Sequence, residues 1–149
     1  MDYVGAAGRA IHVLLVEDNL GDIRLTQEAF GRVNKSVHVN VARDGIEAMV
    51  FLRREGVHVD APRPDLILLD LNLPRMDGRE VLANIKEDDA LKSIPIAVLT
   101  TSDSEEDIAK SYELNASCYL KKPVQFDAFE DLVKSINDFW LTLLRLPQK

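Results

Sequence analysis

The segment ILLDLNLPRMDG (67–78) joins an apolar strand to a loop through a single carboxylate, Asp70. The run DLILLD (65–70) overlaps the start of this segment. Its four apolar residues, 66–69, form a short strand pattern of the kind that a parallel sheet buries on both faces. Pro74 and Gly78 then interrupt the run and predict a loop. A charge placed where a buried strand stops predicts that the strand holds this carboxylate at an edge of the sheet.

Segments of the same kind alternate with helical segments along the rest of the chain. Predicted strands cover 11–16, 37–42, 65–70, 94–100 and 117–120, and helical patterns cover 22–33, 45–54, 78–88, 104–114 and 125–145. Strands that alternate with helices predict a parallel sheet with helices on both faces. Five such units favour the doubly wound strand order 2-1-3-4-5. We therefore predict an α/β fold with a five-stranded parallel doubly wound sheet.

Composition restricts the class of protein and its partners. The chain has 149 residues, of which 46% are hydrophobic and 29% charged, as expected for one folded domain. Its formal net charge of -7 argues against nucleic acid or an anionic membrane as the main partner. A single cysteine excludes an internal disulfide and favours the cytoplasm. We predict a flexible leader (1–10), one domain (11–137) and a C-terminal extension (138–149).

Polar residues follow four of the predicted strands. Glu17 and Asp18 follow the first strand, Asp70 ends the third, Thr100 ends the fourth and Lys122 follows the fifth. Each has an ordinary alternative role in a turn, a helix cap, a strand or a solvated surface. Because the carboxyl ends of parallel strands meet at one edge, all of them are expected to converge at the switch point between strands 1 and 3. Their joint placement favours a functional site.

This group of residues suits the chemistry of phosphoryl transfer. Three neighbouring carboxylates repel one another unless a cation lies between them, and Mg²⁺ fits oxygen ligands of this kind. An aspartate is also able to act as a nucleophile and form an aspartyl phosphate. A lysine and a threonine hydroxyl would then stabilise the oxygens of the transferring group.

Four motifs together resemble the receiver domain of two-component response regulators. They are LLVEDN (14–19), DLILLDLNLPRMDG (65–78), AVLTTS (97–102) and YLKKP (119–123). The resemblance covers about residues 11–137 and implies a flavodoxin-like receiver fold. It also implies signalling through a phosphorelay, with a sensor histidine kinase as the phosphodonor.

The resemblance implies a role for each acid of the site. Asp70 would be the phosphoacceptor and would also contact Mg²⁺. Asp18 would bind the ion directly, Glu17 would assist through water, and the backbone carbonyl of Asn72 would be a further ligand. In a crystal, Mn²⁺ or Ca²⁺ could substitute for Mg²⁺.

Three further roles follow from the same resemblance. Thr100 and Lys122 would contact the phosphoryl group. Thr100 and Tyr119 would form the conformational switch, although an aromatic residue on a strand also packs there for purely structural reasons. The Lys122–Pro123 peptide would be cis, whereas trans is the ordinary form of an X–Pro bond.

One subgroup of receivers is more similar than the rest. The segments around 62–86 and 111–123, with the ending FWLTLLRLP (139–147), resemble single-domain regulators that partner bacterial phytochrome histidine kinases. The expected function is that of a stand-alone response regulator that accepts a phosphoryl group and changes its contacts with partner proteins. It would not be an enzyme beyond slow autodephosphorylation.

The last predicted helix is too long for the domain. From residue 125 to residue 145 it would span ~31 Å, whereas a typical strand spans ~17–20 Å. Its end carries an apolar group: Phe139, Trp140, Leu143, Leu144 and Leu146. Such a patch either packs back on its own domain or is covered by another chain. We favour a symmetric homodimer, as the phytochrome-partner subgroup also implies.

Three other functions are compatible with parts of the pattern. A phosphatase of the haloacid-dehalogenase type also uses a strand-end aspartate, but it needs a second acid at the position of Asn72. A flavodoxin-like cofactor binder needs a phosphate cradle where this chain has EDNLGD (17–22). A receiver-shaped scaffold without phosphorylation is disfavoured because four residues of the site are all present: Asp18, Asp70, Thr100 and Lys122.

Overall fold

The computed structural model describes residues 10–100, 118–121 and 126–138. The strands are β1 (Ile11–Val16), β2 (Val37–Ala42), β3 (Leu66–Leu69), β4 (Ile96–Thr100) and β5 (Cys118–Lys121). The helices are α1 (Leu20–Val33), α2 (Gly45–Leu52), α3 (Gly78–Glu87) and α4 (Phe126–Ile136), with a 3₁₀ turn at Gly56–His58. The helix predicted over 104–114 lies outside the described residues.

The strands pair in parallel in the order β2-β1-β3-β4-β5. β1 and β3 are neighbours at the centre, with Val16 opposite Leu69 at their carboxyl ends. The prediction of a doubly wound parallel α/β sheet is therefore confirmed. β3 is apolar throughout and β1 is apolar except at His12, because helices cover both faces of these strands.

Alternate residues of the central strands contribute to two separate cores. On one face Leu14, Val16, Ile67 and Leu69 pack with α2 and α3 residues such as Met49 and Leu82. On the other face Val13, Leu15, Leu66 and Leu68 pack with Phe30 of α1 and Val133 of α4. β2 is only partly buried, which agrees with its alternating sequence VHVNVA and its place at the sheet edge.

α1, α2 and α3 each begin with a side-chain cap. Asn19 Oδ1 accepts a hydrogen bond from Asp22 N at 2.9 Å, and Asp44 Oδ1 accepts one from Glu47 N at 2.7 Å. Asp77 Oδ1 accepts one from Arg79 N at 2.8 Å. The N-termini of α1, α2 and α3 consequently lie near the carboxyl edge of the sheet.

Removal of the α1 cap gives a stability prediction. Asn19→Ala is expected to lower the free energy of unfolding by about 1 kcal/mol, because the amide of Asp22 loses its acceptor. Asn19→Ser is the matched control, since serine caps equally well. Urea denaturation compares the two variants. Equal stability of the alanine and serine variants would show that the cap contributes nothing.

α4 packs against α1 through buried and polar contacts. Phe129 and Val133 are buried, and Arg32 Nη1 lies 3.5 Å from Glu130 Oε1. Asn34 Nδ2 donates to Asn137 Oδ1 at 3.0 Å. The predicted continuation of this helix toward residue 145, with the proposed dimer residues, lies outside the described part of the chain. No helix among the described residues is long and apolar enough to cross a membrane.

Candidate functional site

Glu17, Asp18 and Asp70, called here the acid trio, come together at the carboxyl edge of the sheet. Glu17 and Asp18 directly follow β1, and Asp70 directly follows β3, the strand beside it. One carboxylate oxygen from each of the three residues lies within 4.8 Å of the others. The predicted convergence of these acids is therefore confirmed.

The backbone of the acid trio continues the hydrogen bonding of the sheet. Asp70 N donates to the Val16 carbonyl at 3.1 Å, and Glu17 N donates to the Ala42 carbonyl at 3.0 Å. These two hydrogen bonds fix the backbone of Glu17 and Asp70 relative to the neighbouring strands. This explains how the sequence places residues 53 apart in one site.

The three side chains of the acid trio differ in their exposure to solvent. Glu17 is 2% exposed and Asp70 is 7% exposed, whereas Asp18 is exposed to solvent. Two shielded carboxylates beside a solvated one repel each other when ionised, and a divalent cation relieves that repulsion. Carboxylate oxygens are also hard ligands of the kind that Mg²⁺ and Ca²⁺ prefer. The acid trio therefore fits the predicted divalent ion.

Asp70 is oriented by the loop that follows it. Asn72 N donates to Asp70 Oδ1 at 2.9 Å, which restricts rotation of the carboxylate. Glu17 Oε1 similarly accepts a hydrogen bond from Asn19 N at 3.2 Å. Both acids are held by backbone amides that lie two residues further along the chain.

Gly78 lets the start of α3 approach the backbone of Asp70. A Cβ at this position would lie 2.6 Å from Leu71 Cα and closer still to the Asp70 carbonyl oxygen. Carbon atoms pack at ~3.5–4.0 Å, so only glycine fits. Gly78 N also donates to the Leu71 carbonyl at 3.0 Å. The sequence predicted Gly78 as the residue at which a loop ends and a helix begins, and its close approach to Asp70 is a new finding.

The remaining predicted site residues are only partly described. Thr100 is the last residue of β4, beside β3, so its backbone lies at the same edge as the acid trio. Tyr119 lies opposite Val98 in β5. Lys122 and Pro123, with the predicted cis peptide between them, lie outside the described residues. The contact roles of these residues stay predictions.

Sequence reasoning did not assign a role to the start of α2. Arg43 Nη2 donates to the Asp18 carbonyl at 3.4 Å, and Asp44 Oδ2 lies 3.1 Å from Arg75 Nη1. The available signal was an Asp-Gly pair that occurs twice, at 44–45 and 77–78, each time where a helix begins. Each glycine of these pairs lies against the chain segment that follows β3.

Comparison with known proteins gives a match to a family model and a similar regulator. A family model described as the response regulator receiver domain matches residues 13–136. Response regulator Rcp1 of Synechocystis sp. (strain ATCC 27184 / PCC 6803 / Kazusa) is 48% identical over 135 residues, which cover 91% of this chain and 92% of Rcp1.

Two crystal structures are similar over nearly the whole chain. The phosphorylated cyanobacterial phytochrome response regulator RcpA has a TM-score of 0.88 and 51% identity, covering 93% of this chain and 99% of that one. The Mn²⁺-bound form of Rcp1 has a TM-score of 0.83 and 46% identity, with the same coverage.

Proposed function

Because this chain belongs to the response regulator receiver domain family, we propose that it accepts a phosphoryl group from a sensor histidine kinase on Asp70. The observation that carries this proposal is the convergence of the acid trio within 4.8 Å at the ends of β1 and β3. The protein is a signalling receiver, and the phosphorylated form would change its contacts with partner proteins.

We assign the cofactor as Mg²⁺. Asp18 and Asp70 would hold it directly, Glu17 would assist through water, and the Asn72 backbone carbonyl would complete the protein ligands. When bound, the ion supplies positive charge that offsets the negative charge developing on the phosphoryl oxygens. The crystal structure of Mn²⁺-bound Rcp1 supports a divalent ion in a similar chain.

In the proposed transfer, Asp70 acts as the nucleophile. A carboxylate oxygen of Asp70 forms a bond to phosphorus while the bond from phosphorus to the donor histidine nitrogen breaks. The histidine takes up a proton and leaves as neutral imidazole. The amide of Asn72, 2.9 Å from Asp70 Oδ1, holds the carboxylate in one orientation during this step.

The phosphoryl-contacting and switch roles belong to the same proposal. Thr100 and Lys122 would stabilise the phosphoryl oxygens, and Thr100 with Tyr119 would carry the change to the surface. The cis form of the Lys122–Pro123 peptide belongs to the same proposal. The position of Thr100 at the end of β4, next to β3, supports its part in this assignment.

Acetyl phosphate tests phosphorylation without the kinase. Wild-type protein incubated with acetyl phosphate and Mg²⁺ is expected to gain the mass of one phosphoryl group, and Asp70→Asn is expected to gain none. Asp60→Asn is the matched control because Asp60 is an exposed aspartate outside the acid trio. Uptake by Asp70→Asn, or by wild type with a chelator present, would contradict the proposal.

The phosphodonor is proposed to be a phytochrome-type sensor histidine kinase of the cytoplasm. Support comes from the similarity to RcpA, a phytochrome response regulator, over 93% of the chain. An autophosphorylated phytochrome kinase is expected to pass its phosphoryl group to this protein much faster than a sensor kinase of another class does. Equal rates from the two kinases would contradict the assignment.

Residues 138–149 are proposed to form a homodimer arm. α4 buries Phe129, Val133 and Ile136 on one stripe, and the same spacing continues in the sequence with Trp140, Leu143 and Leu144. A chain truncated before Asp138 is expected to have half the molar mass of the full chain in light scattering. An unchanged mass would show that this extension does not form the dimer.

A further inference from the structure

Three residues at the start of α2, Arg43, Asp44 and Gly45, contact both loops that carry the acid trio. We call these three residues the α2 bracket. They follow β2, an edge strand, and none of them belongs to the acid trio. Their contacts link the chain after β1 to the chain after β3.

Arg43 provides the contact to the loop after β1. Its Nη2 donates to the backbone carbonyl of Asp18 at 3.4 Å. Its backbone amide donates to Glu47 Oε1 at 2.7 Å, so Arg43 is itself tied to the first turn of α2. The backbone of Asp18 is thus connected to α2 through one side chain.

Asp44 provides the charged contact to the loop after β3. Its Oδ1 caps α2 through Glu47 N, while its Oδ2 lies 3.1 Å from Arg75 Nη1. The Asp44 side chain is only 15% exposed, whereas the Arg75 side chain is 60% exposed, so water reaches the pair from the arginine side. Arg75 has a φ of 65°, a left-handed conformation that is uncommon for a residue other than glycine. Such a conformation persists when surrounding contacts determine it.

Gly45 provides the steric contact to the same loop. A Cβ added to Gly45 would lie 2.6 Å from Met76 Cβ and 2.8 Å from Met76 C, and closer still to the Met76 carbonyl oxygen. Since Met76 follows Arg75 directly, the ion pair and the steric contact act on adjacent residues of one loop. Because Gly45 has no side chain, the start of α2 approaches this loop closely, as Gly78 lets the start of α3 approach Asp70 and Leu71.

We propose that the α2 bracket positions the Asp18 and Asp70 loops relative to each other and thereby sets the affinity of the acid trio for its divalent ion. This inference rests on the proposed function and adds the residues that hold the metal-binding loops in place. Mg²⁺ accepts little deviation from octahedral geometry, so a small shift of one loop is expected to weaken binding. Residues that orient metal ligands typically change affinity ~10–100-fold when replaced.

Gly45→Ala is the first test because it changes no charge. Mn²⁺ titration monitored by the electron paramagnetic resonance signal of the free ion measures the dissociation constant directly. The variant is expected to bind Mn²⁺ about tenfold more weakly than wild type. Gly31→Ala is the matched control, since an added Cβ there meets nothing within 4 Å. Its dissociation constant is expected to equal that of wild type.

Asp44→Asn and Arg75→Gln form the second test, and neither variant disturbs the packing at Gly45. Asparagine caps helices as well as aspartate does, so Asp44→Asn keeps α2 capped while it loses the ion pair. If the α2 bracket positions the two loops, both single variants bind Mn²⁺ more weakly than wild type. In the double variant, the dissociation constant then rises by less than the product of the factors measured for the two single variants.

Simple electrostatics predicts a different pattern for the same pair of variants. Loss of a negative charge at Asp44 would weaken Mn²⁺ binding, and loss of a positive charge at Arg75 would strengthen it. Opposite shifts would therefore overturn the positioning role. Unchanged affinity in Gly45→Ala, Asp44→Asn and Arg75→Gln would overturn it too while leaving the proposed function intact, provided that wild type binds Mn²⁺. Failure of wild type to bind Mn²⁺ would overturn both proposals.

Discussion

Gly78→Ala is expected to lower the free energy of unfolding by about 3 kcal/mol, at the upper end of the cost of overpacking. The added Cβ would lie 2.6 Å from Leu71 Cα and 3.0 Å from Leu71 C, and closer still to the Asp70 carbonyl oxygen. All three of these atoms belong to the backbone, so no side-chain rotation relieves the contact. Either the start of α3 or the end of β3 has to move. Urea denaturation measures the loss.

The control for this variant is Gly31→Ala, on the exposed face of α1. An alanine there meets no neighbour within 4 Å and is expected to raise the free energy of unfolding by roughly 0.5–1 kcal/mol, because glycine is a poor helix former. The two glycine variants should therefore change stability in opposite directions. A Gly78→Ala variant as stable as wild type would show that the close approach of α3 to Asp70 does not exist in solution.

Magnesium is expected to stabilise the wild-type fold strongly. At a free concentration one hundred times the dissociation constant, a ligand that binds only the folded chain adds about 2.7 kcal/mol. For a domain of this size that corresponds to roughly 5–10 °C in melting temperature. Asp18→Asn is expected to remove most of this gain because it removes one of the proposed direct ligands. Thermal unfolding with and without MgCl₂ measures it.

The same experiment has a second readout without metal. With no cation present, Asp18→Asn is expected to be at least as stable as wild type, since one negative charge of the acid trio is gone. Potassium chloride at matched ionic strength separates specific binding from screening, which acts on all exposed charges. If potassium raised the melting temperature as much as Mg²⁺ does, the acid trio would not be a specific site.

The positions of the acids were predictable because they follow from strand ends alone. Apolar runs that stop at Glu17 and at Asp70 define two adjacent strands, and parallel pairing brings their carboxyl ends together. No detailed packing enters that argument. This is why the convergence of the acid trio followed from the sequence.

The supporting contacts were not predictable in the same way. The ion pair between Asp44 and Arg75 joins residues 31 apart, and it depends on how α2 packs on the sheet. The close approach of Gly45 to Met76 likewise depends on the distance between a helix start and a loop. A hydrophobic pattern specifies which face of a helix is buried, but it does not specify these distances.

The central claim is that the acid trio holds one divalent ion beside Asp70. A crystal soaked in MnCl₂ and measured at the manganese absorption edge tests this claim most directly, because the anomalous signal at that edge distinguishes manganese from the lighter atoms of the protein. One strong peak per chain is expected among the carboxylates of Glu17, Asp18 and Asp70, and it is expected to be absent from Asp18→Asn crystals. A peak elsewhere, or one that persists unchanged in the variant, would contradict the account.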